Sequence, residues 1–358
     1  MKLILERRDD RPAWLALASP LAAVALTLIA GALLFITIGK NPLAALKVFF
    51  LDPLSDGWAL QELGVKATPL ILIAVGLTLC YRANVWNIGA EGQLVMGAIF
   101  GSWLALATHS APDGRWVLVA MLALGALGGM AWALIPALLK ARLGVNEILS
   151  SLMLVYVAEL TLDYLVRGRW RDPKGFNFPQ SVNFEPEATM PLLFEAGRLH
   201  IGFLIAVIVA LAAALILGRT LKGFEIRLAG EAPRAARFAG FDDKRTVLFV
   251  FAVSGALAGL AGIIEVAGPI GQLQPSISPG YGFTAIIVAF LGRLNPIGAL
   301  VAALFLALTF IGGENAQIAL RIPLDVTRVF QGLLLFFVLG CDTFLLYRLR
   351  LVSSARAA

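Results

Sequence analysis

The chain is short of nearly everything a soluble enzyme of its length relies on. Charged residues fill 15% of its 358 positions, against about a quarter in an ordinary globular domain. Two cysteines, Cys80 and Cys341, and two histidines, His109 and His200, exclude a disulfide framework and a conventional zinc cluster within the chain. Both cysteines fall near the ends of apolar runs, where a thiol acts as a small packing group. No G-x-x-x-x-G-K-[ST] phosphate loop is present: Gly39-Lys40 lacks the upstream glycine and the Ser/Thr. H-E-x-x-H and G-x-S-x-G are absent too. Nothing here is equipped to bind nucleotide or cut a bond. No catalytic residue, metal or cofactor is expected, and energy for any work must come from a gradient or a partner.

What is present is apolar. Hydrophobic residues make up 59% of the chain and the mean hydropathy is +0.85. A helix needs roughly 20 apolar residues to cross the hydrocarbon core. That rule predicts spans near 14–38, 66–81, 88–108, 116–139, 147–166, 200–218, 246–268, 281–292, 297–312 and 323–347. The expected fold is an all-α polytopic membrane protein with about ten transmembrane or partly spanning helices, built as a single domain over 1–358. The charged start "MKLILERRDDRP" precedes an apolar stretch from Ala13 to Gly39. That stretch exceeds a signal-peptide core, so it reads as an uncleaved first span. The tract "GYGFTAIIVAFLG" (280–292) is too short for a full crossing. It is either a broken helix lining a path or a short helix in a thin, protein-covered region.

Ten spans place both termini on one side, and the lysine and arginine distribution favours the cytoplasm for that side. The net charge of +6 then reflects inner loops rather than nucleic-acid binding. The proline- and aromatic-rich loop 167–199 is basic, but long loops translocate regardless of charge; a periplasmic cap is expected there. The segment 41–63 is amphipathic and is expected along the outer face.

One polar run, 219–245, interrupts the apolar pattern on the inner side. Within it, "GEAPRAARFAG" (230–240) predicts a short helix. Pro233 suits a first turn, Glu231 before it suits the helix dipole, and Gly240 is a natural stop. Ala232, Ala235, Ala236 and Ala239 share a smooth face, with Arg234, Arg237 and Phe238 beside it. Such a helix could dock a cytoplasmic motor, or lie on anionic membrane lipid.

The patch resembles the cytoplasmic coupling helix of ABC-transporter permeases. More narrowly, the chain resembles the branched-chain amino acid/ribose permease superfamily in its nucleoside and simple-sugar branch. "NVWNIGAEGQLVMGA" (84–98), "NEILSSLMLVYVA" (146–158), "SGALAGLAG" (254–262), "SPGYGFTAIIVAFLGRLNPIGAL" (278–300) and "QGLLLFFVL" (331–339) carry the resemblance, in order. It implies an importer permease of a bacterial inner membrane with a small-molecule substrate such as a nucleoside. The implied partners are a cytoplasmic ABC ATPase, a second homologous permease and a periplasmic substrate-binding lipoprotein. The chain departs from the branch at Val155, Ala232 and Phe238, where the family often has Asn, Asn and Tyr.

Polar groups inside spans usually face a cavity or a partner. Asn87, Glu91 and Gln93 read as gate or pathway groups, with Glu91 and Gln93 setting an inner gate or holding neighbouring backbone near the ATPase, or, for Glu91, as a helix cap pairing with Arg82. Asn146 reads as a helix cap or a pathway group. Tyr156 belongs to the same stretch. Glu159 and Asp163 share one helix face and can pair with Arg167 and Arg169 or meet substrate. Tyr281 and Phe283 could stack on a flat base or sugar face, or pack at an interface. Ser254, Ala258 and Gly262, four apart, suit close helix packing.

Overall fold

The computed structural model describes residues 2–7, 13–55, 57–109, 114–195, 197–323 and 325–352; residues 8–12 of the charged N-terminal segment lie outside them. The chain divides into two compact units, Met1–Ser55 with Leu308–Ala358, and Asp56–Ala307. The first holds strand β1 (Lys2–Arg7) and helices α1 (Ala13–Thr37) and α2 (Pro42–Phe50). From the far end of the chain it takes α13 (Asp325–Leu346) and strand β2 (Tyr347–Val352). The second holds α3 (Gly57–Arg82), α4 (Ala90–Ala107), α5 (Trp116–Leu143), α6 (Glu147–Arg167) and α7 (Gly202–Arg219). It continues with α8 (Leu221–Glu231), α9 (Pro233–Phe238), α10 (Asp243–Glu265) and α11 (Tyr281–Leu291). Helix α12 (Pro296–Leu320) runs from the second unit into the first.

Among the described residues, eight helices are long and apolar enough to cross a membrane: α1, α3, α4, α5, α6, α7, α10 and α12. Helix α11, with 11 residues, is too short, and α13 has 22. These ten are the expected spans, and the chain is an all-α polytopic membrane protein. A single two-stranded ribbon, β1 antiparallel to β2, brings the described ends of the chain side by side.

Two boundaries differ from the sequence reading. The span expected at 66–81 starts nine residues earlier, because nothing after Gly57 breaks the helix. The segment 41–63, expected along the outer face, therefore splits. Its first part is α2, capped by Asn41, whose Oδ1 accepts from the Leu43 amide at 3.0 Å, with Pro42 in the first turn. Its last part belongs to α3. The span expected at 297–312 continues to Leu320.

The first unit is packed by aromatics. Phe49 lies 5.7 Å from Phe35 and 5.8 Å from Phe330 between ring centroids. The second is packed by the absence of side chains. Helix α10 lies chiefly on α5, α4 and α3. A Cβ on Gly129 would fall 2.6 Å from the Gly259 Cα, and one on Gly76 would fall 2.9 Å from the Ser254 Cα. Where lipid tails are as apolar as leucine, helices gain little by burying large side chains, and close backbone approach supplies the contact energy.

The loop 167–199 is tied down. Its Ser181, Phe184 and Met190 amides donate to the carbonyls of Leu273, Gly271 and Ala267 at 2.9, 2.8 and 2.8 Å. Arg198 grips the buried Glu62 of α3 through Nε and Nη2 at 2.8 and 2.6 Å.

Candidate functional site

Helix α3 stops at Asn84, which takes a left-handed φ of 55°; asparagine is among the few side chains that adopt it readily. The chain then runs extended to Gly89 before α4 begins. This unwound stretch cannot satisfy its own backbone, and side chains do so instead. The Asn87 and Gln93 amides bond reciprocally, each N–H donating to the other's oxygen at 2.9 Å. The Asn87 amide also donates to Ser254 Oγ of α10 at 3.1 Å. Its Oδ1 accepts from the Gly89 amide at 3.1 Å. Both side chains are buried. Asn87 and Gln93, expected at a gate, are thus committed to holding the entry of α4 against α10.

Glu91 does not pair with Arg82 but holds neighbouring backbone. Arg82 points elsewhere, donating from Nε to the Leu294 carbonyl at 2.6 Å. The Glu91 carboxylate instead accepts from the Gly282 amide at the start of α11, at 2.5 Å. Gly282 has no room for a side chain, since a Cβ there would sit 2.6 Å from the Glu91 Cα. So "NIGAEGQ" and "GYGF", far apart in the chain, meet. Glu91 is the second residue of α4. The neighbouring Gly92 packs on Val155 with a would-be Cβ 2.8 Å from its Cα. Val155 is eight residues into α6, roughly 12 Å from its start at 1.5 Å per residue. Val155, where the family often has Asn, is buried under α4.

Beside Glu91 lies a cavity of about 400 Å³, lined by Val95, Tyr156, Glu159, Asp163, Ser276 and Ser278 among others. Asp163 holds Arg167 with both carboxylate oxygens, at 2.7 and 2.8 Å; Glu159 has no salt bridge among the described residues. The lining is rich in hydrogen-bond acceptors and hydroxyls. Tyr156 is exposed on α6. Phe283 is part-exposed, whereas Tyr281 is fully buried and sits beside Glu265. Tyr281 therefore cannot stack on a ligand; Phe283 keeps that option. Ser276 and Ser278 escape sequence reasoning, although the polar "SISP" ahead of a short apolar helix is the signal that could find them. Asn146 is a cap: its Oδ1 accepts from the Ile148 amide at 2.9 Å. The next residue, Glu147, pairs with Lys140.

At the bundle end bearing α8 and α9, the polar run forms two helices rather than one. Glu231 is the last residue of α8, not a first-turn acid of α9. Ala232, at φ −144° and ψ 71°, makes the corner. Gly240 takes φ 87°. Ala236 is fully buried against its own chain, so it faces inward, away from any docked partner. Pro233, Arg234, Arg237 and Phe238 face out. Phe238 is 97% exposed.

This end is braced to α10 by Glu225, which sequence reasoning passes over. Its Oε1 accepts from Lys222 Nζ at 2.8 Å and from Thr246 Oγ1 at 2.6 Å. Burial by itself would raise this carboxyl. The Lys222 and Thr246 hydrogen bonds outweigh it and hold Glu225 below the usual carboxylate range. At the opposite end, burial alone pushes His200 down from 6.5 to about 4. Its Nδ1 accepts from the Gly202 amide at 3.2 Å, the arrangement of a neutral imidazole.

Comparison with known proteins fits this architecture. A glucose ABC transporter permease protein of Haloferax volcanii is 37% identical, over 99% of this chain and 96% of that one. A guanosine ABC transporter permease protein of Bacillus subtilis is 29% identical, over 89% and 92%. A nucleoside ABC transporter permease protein of Lactococcus lactis is 29% identical, over 89% of each. The model of the branched-chain amino acid transport system / permease component family matches residues 60–339. With that match covering the unwound entry of α4, the short α11 and the paired helices α8 and α9, the chain belongs to this family of transport-system permeases.

Proposed function

We propose that this chain is the permease subunit of an ATP-driven importer whose substrate carries a polyhydroxylated sugar ring, free or within a nucleoside. The observation that carries this reading is the cavity at Glu91, Tyr156 and Glu159. Carboxylates and serine hydroxyls accept hydrogen bonds from ring hydroxyls. Its volume falls in the range of small-molecule sites. Glucose and nucleoside permeases among the relatives share that chemistry. The exposed face of α6 places polar groups where lipid would be costly, which supports a second, homologous permease covering that face. Helix α9, with Arg234, Arg237 and Phe238 outward, is the dock for a cytoplasmic ABC ATPase. A periplasmic substrate-binding lipoprotein would load the cavity past the 167–199 cap. In this reading the chain sits in a cytoplasmic membrane with both termini inside, and alternating access exposes the cavity to each side in turn.

The test is uptake into proteoliposomes holding the whole assembled transporter, with labelled glucose and labelled guanosine. Uptake should need ATP inside and ignore ionophores. Tyr156→Ala and Glu159→Gln should raise the KM for one of the two, by roughly five- to a hundred-fold for a lost hydrogen bond of 1–3 kcal/mol. ATP-independent uptake that collapses with an ionophore would identify a gradient-driven carrier instead.

A further inference from the structure

A second cavity, of about 440 Å³, opens beside the coupling helices. Its lining joins the end of α3, the end of α8 and the turn between α11 and α12: Tyr81, Arg82, Asn84, Arg227, Glu231 and Arg293, with Gly230 and Leu294. Three guanidinium groups face one carboxylate. Arg82 is half-buried, and its Nε–H is already given to Leu294. Arg227 lies near enough to repel its charge directly, and Glu231 near enough to attract it. Neither Arg82 nor Arg227 has a salt-bridge partner among the described residues. Like charges that close, partly out of water, call for a counter-anion. Arg293 sits at a left-handed φ of 56°, followed by Leu294 at 52°. That is a strained corner for side chains, and it brings the third guanidinium to the cavity.

We propose that this cavity binds a phosphate group. Planar guanidinium forks match phosphate oxygens two at a time. The ring of Tyr81, stacked on Phe290 at 5.4 Å, walls one side. Two sources offer this chemistry. One is the headgroup of an anionic phospholipid, within reach because the site lies at the end of a membrane span. The other is a soluble phosphate or pyrophosphate. The site is separate from the substrate cavity and does not depend on what that cavity carries.

The assembled transporter in neutral detergent would be titrated separately with short-chain phosphatidylglycerol, short-chain phosphatidylcholine and inorganic pyrophosphate. The readout is the rise in melting temperature. A saturable rise with phosphatidylglycerol alone assigns a lipid headgroup; a rise with pyrophosphate assigns a soluble anion. Arg227→Gln should weaken either response roughly ten-fold in midpoint concentration, the equivalent of one charge-assisted hydrogen bond. Arg219→Gln, an exposed arginine outside the cavity, should not. Arg293→Gln replaces Arg227→Gln if the latter fails to assemble. The proposal fails if no anion raises the melting temperature, or if the cavity variant and Arg219→Gln respond like the wild type.

Discussion

Phe238→Ala separates docking from folding. The ring is 97% exposed in this chain, so removing it takes almost no contact from the folded permease. Stability should change by less than about 0.5 kcal/mol, as for most surface positions. If α9 seats in a groove of an ATPase, the ring becomes buried there, and burying a phenylalanine is worth about 1.5–3 kcal/mol. The variant should then weaken ATPase association by roughly ten- to a hundred-and-fifty-fold. The neighbouring Arg237 lies 3.4 Å from Asp243 with both groups exposed, so losing that pair costs about 0–1 kcal/mol. Ala236→Trp makes a poor docking probe, because Ala236 is fully buried and the new ring would wreck the loop itself. The assay titrates purified ATPase against permease in nanodiscs and reads affinity by fluorescence anisotropy, with melting temperature measured in parallel. Unchanged affinity for Phe238→Ala would refute docking through this ring. A large loss of melting temperature would show that the ring is not a free surface group.

Three other outcomes follow from the geometry. Asn87→Ala and Gln93→Ala, combined in a double-mutant cycle, should show a coupling of about 0.5–3 kcal/mol in thermal stability; additivity would mean the reciprocal amide pair does not hold the entry of α4. Gly92→Val should destabilise by about 1–3 kcal/mol through overpacking on Val155, and near-wild-type melting would show that α4 and α6 can separate there. His200 is held neutral, so its folded pKa lies below its unfolded one, and the unfolded state gains the proton first as pH falls. Stability should drop between pH 6.5 and about 4, by about 3 kcal/mol at most; His200→Asn should flatten that part of the pH–melting profile, and an unchanged slope would place the titration elsewhere.

The spans were legible because hydropathy and length are local properties. The cap at Asn146 was also local, and so was the turn at Gly240. The site was legible only in part, for a physical reason. Glu91 and Gly282 meet across the bundle, and no spacing within either string encodes that meeting. Their aromatic rings in the short tract 280–292 put Tyr281 and Phe283 together as stacking candidates. Two residues along a helix face opposite ways, and packing buried one of them. In the same way Ala236, chosen for its small size, turned inward because small residues suit both a dock and a tight internal contact. Ser276 and Ser278 matter through the cavity they line, which exists only once α4, α6 and the loop ahead of α11 have assembled.

The exposed face of α6 has a consequence for the life of the chain in a cell. Glu159 stands twelve residues from one end of that helix and eight from the other, about 18 and 12 Å, too far for a short side chain to reach water easily from either. A carboxylate facing hydrocarbon costs up to about 2.5–3.5 kcal/mol, the value at the centre of a span. If the proposed second permease covers this face, a subunit inserted without it carries that cost until assembly removes it. In that case the acid proposed to meet a sugar hydroxyl would also mark an orphaned subunit as incomplete. Membrane proteases that clear poorly settled helices would remove surplus copies, and the ratio of subunits would be set by turnover as well as by synthesis.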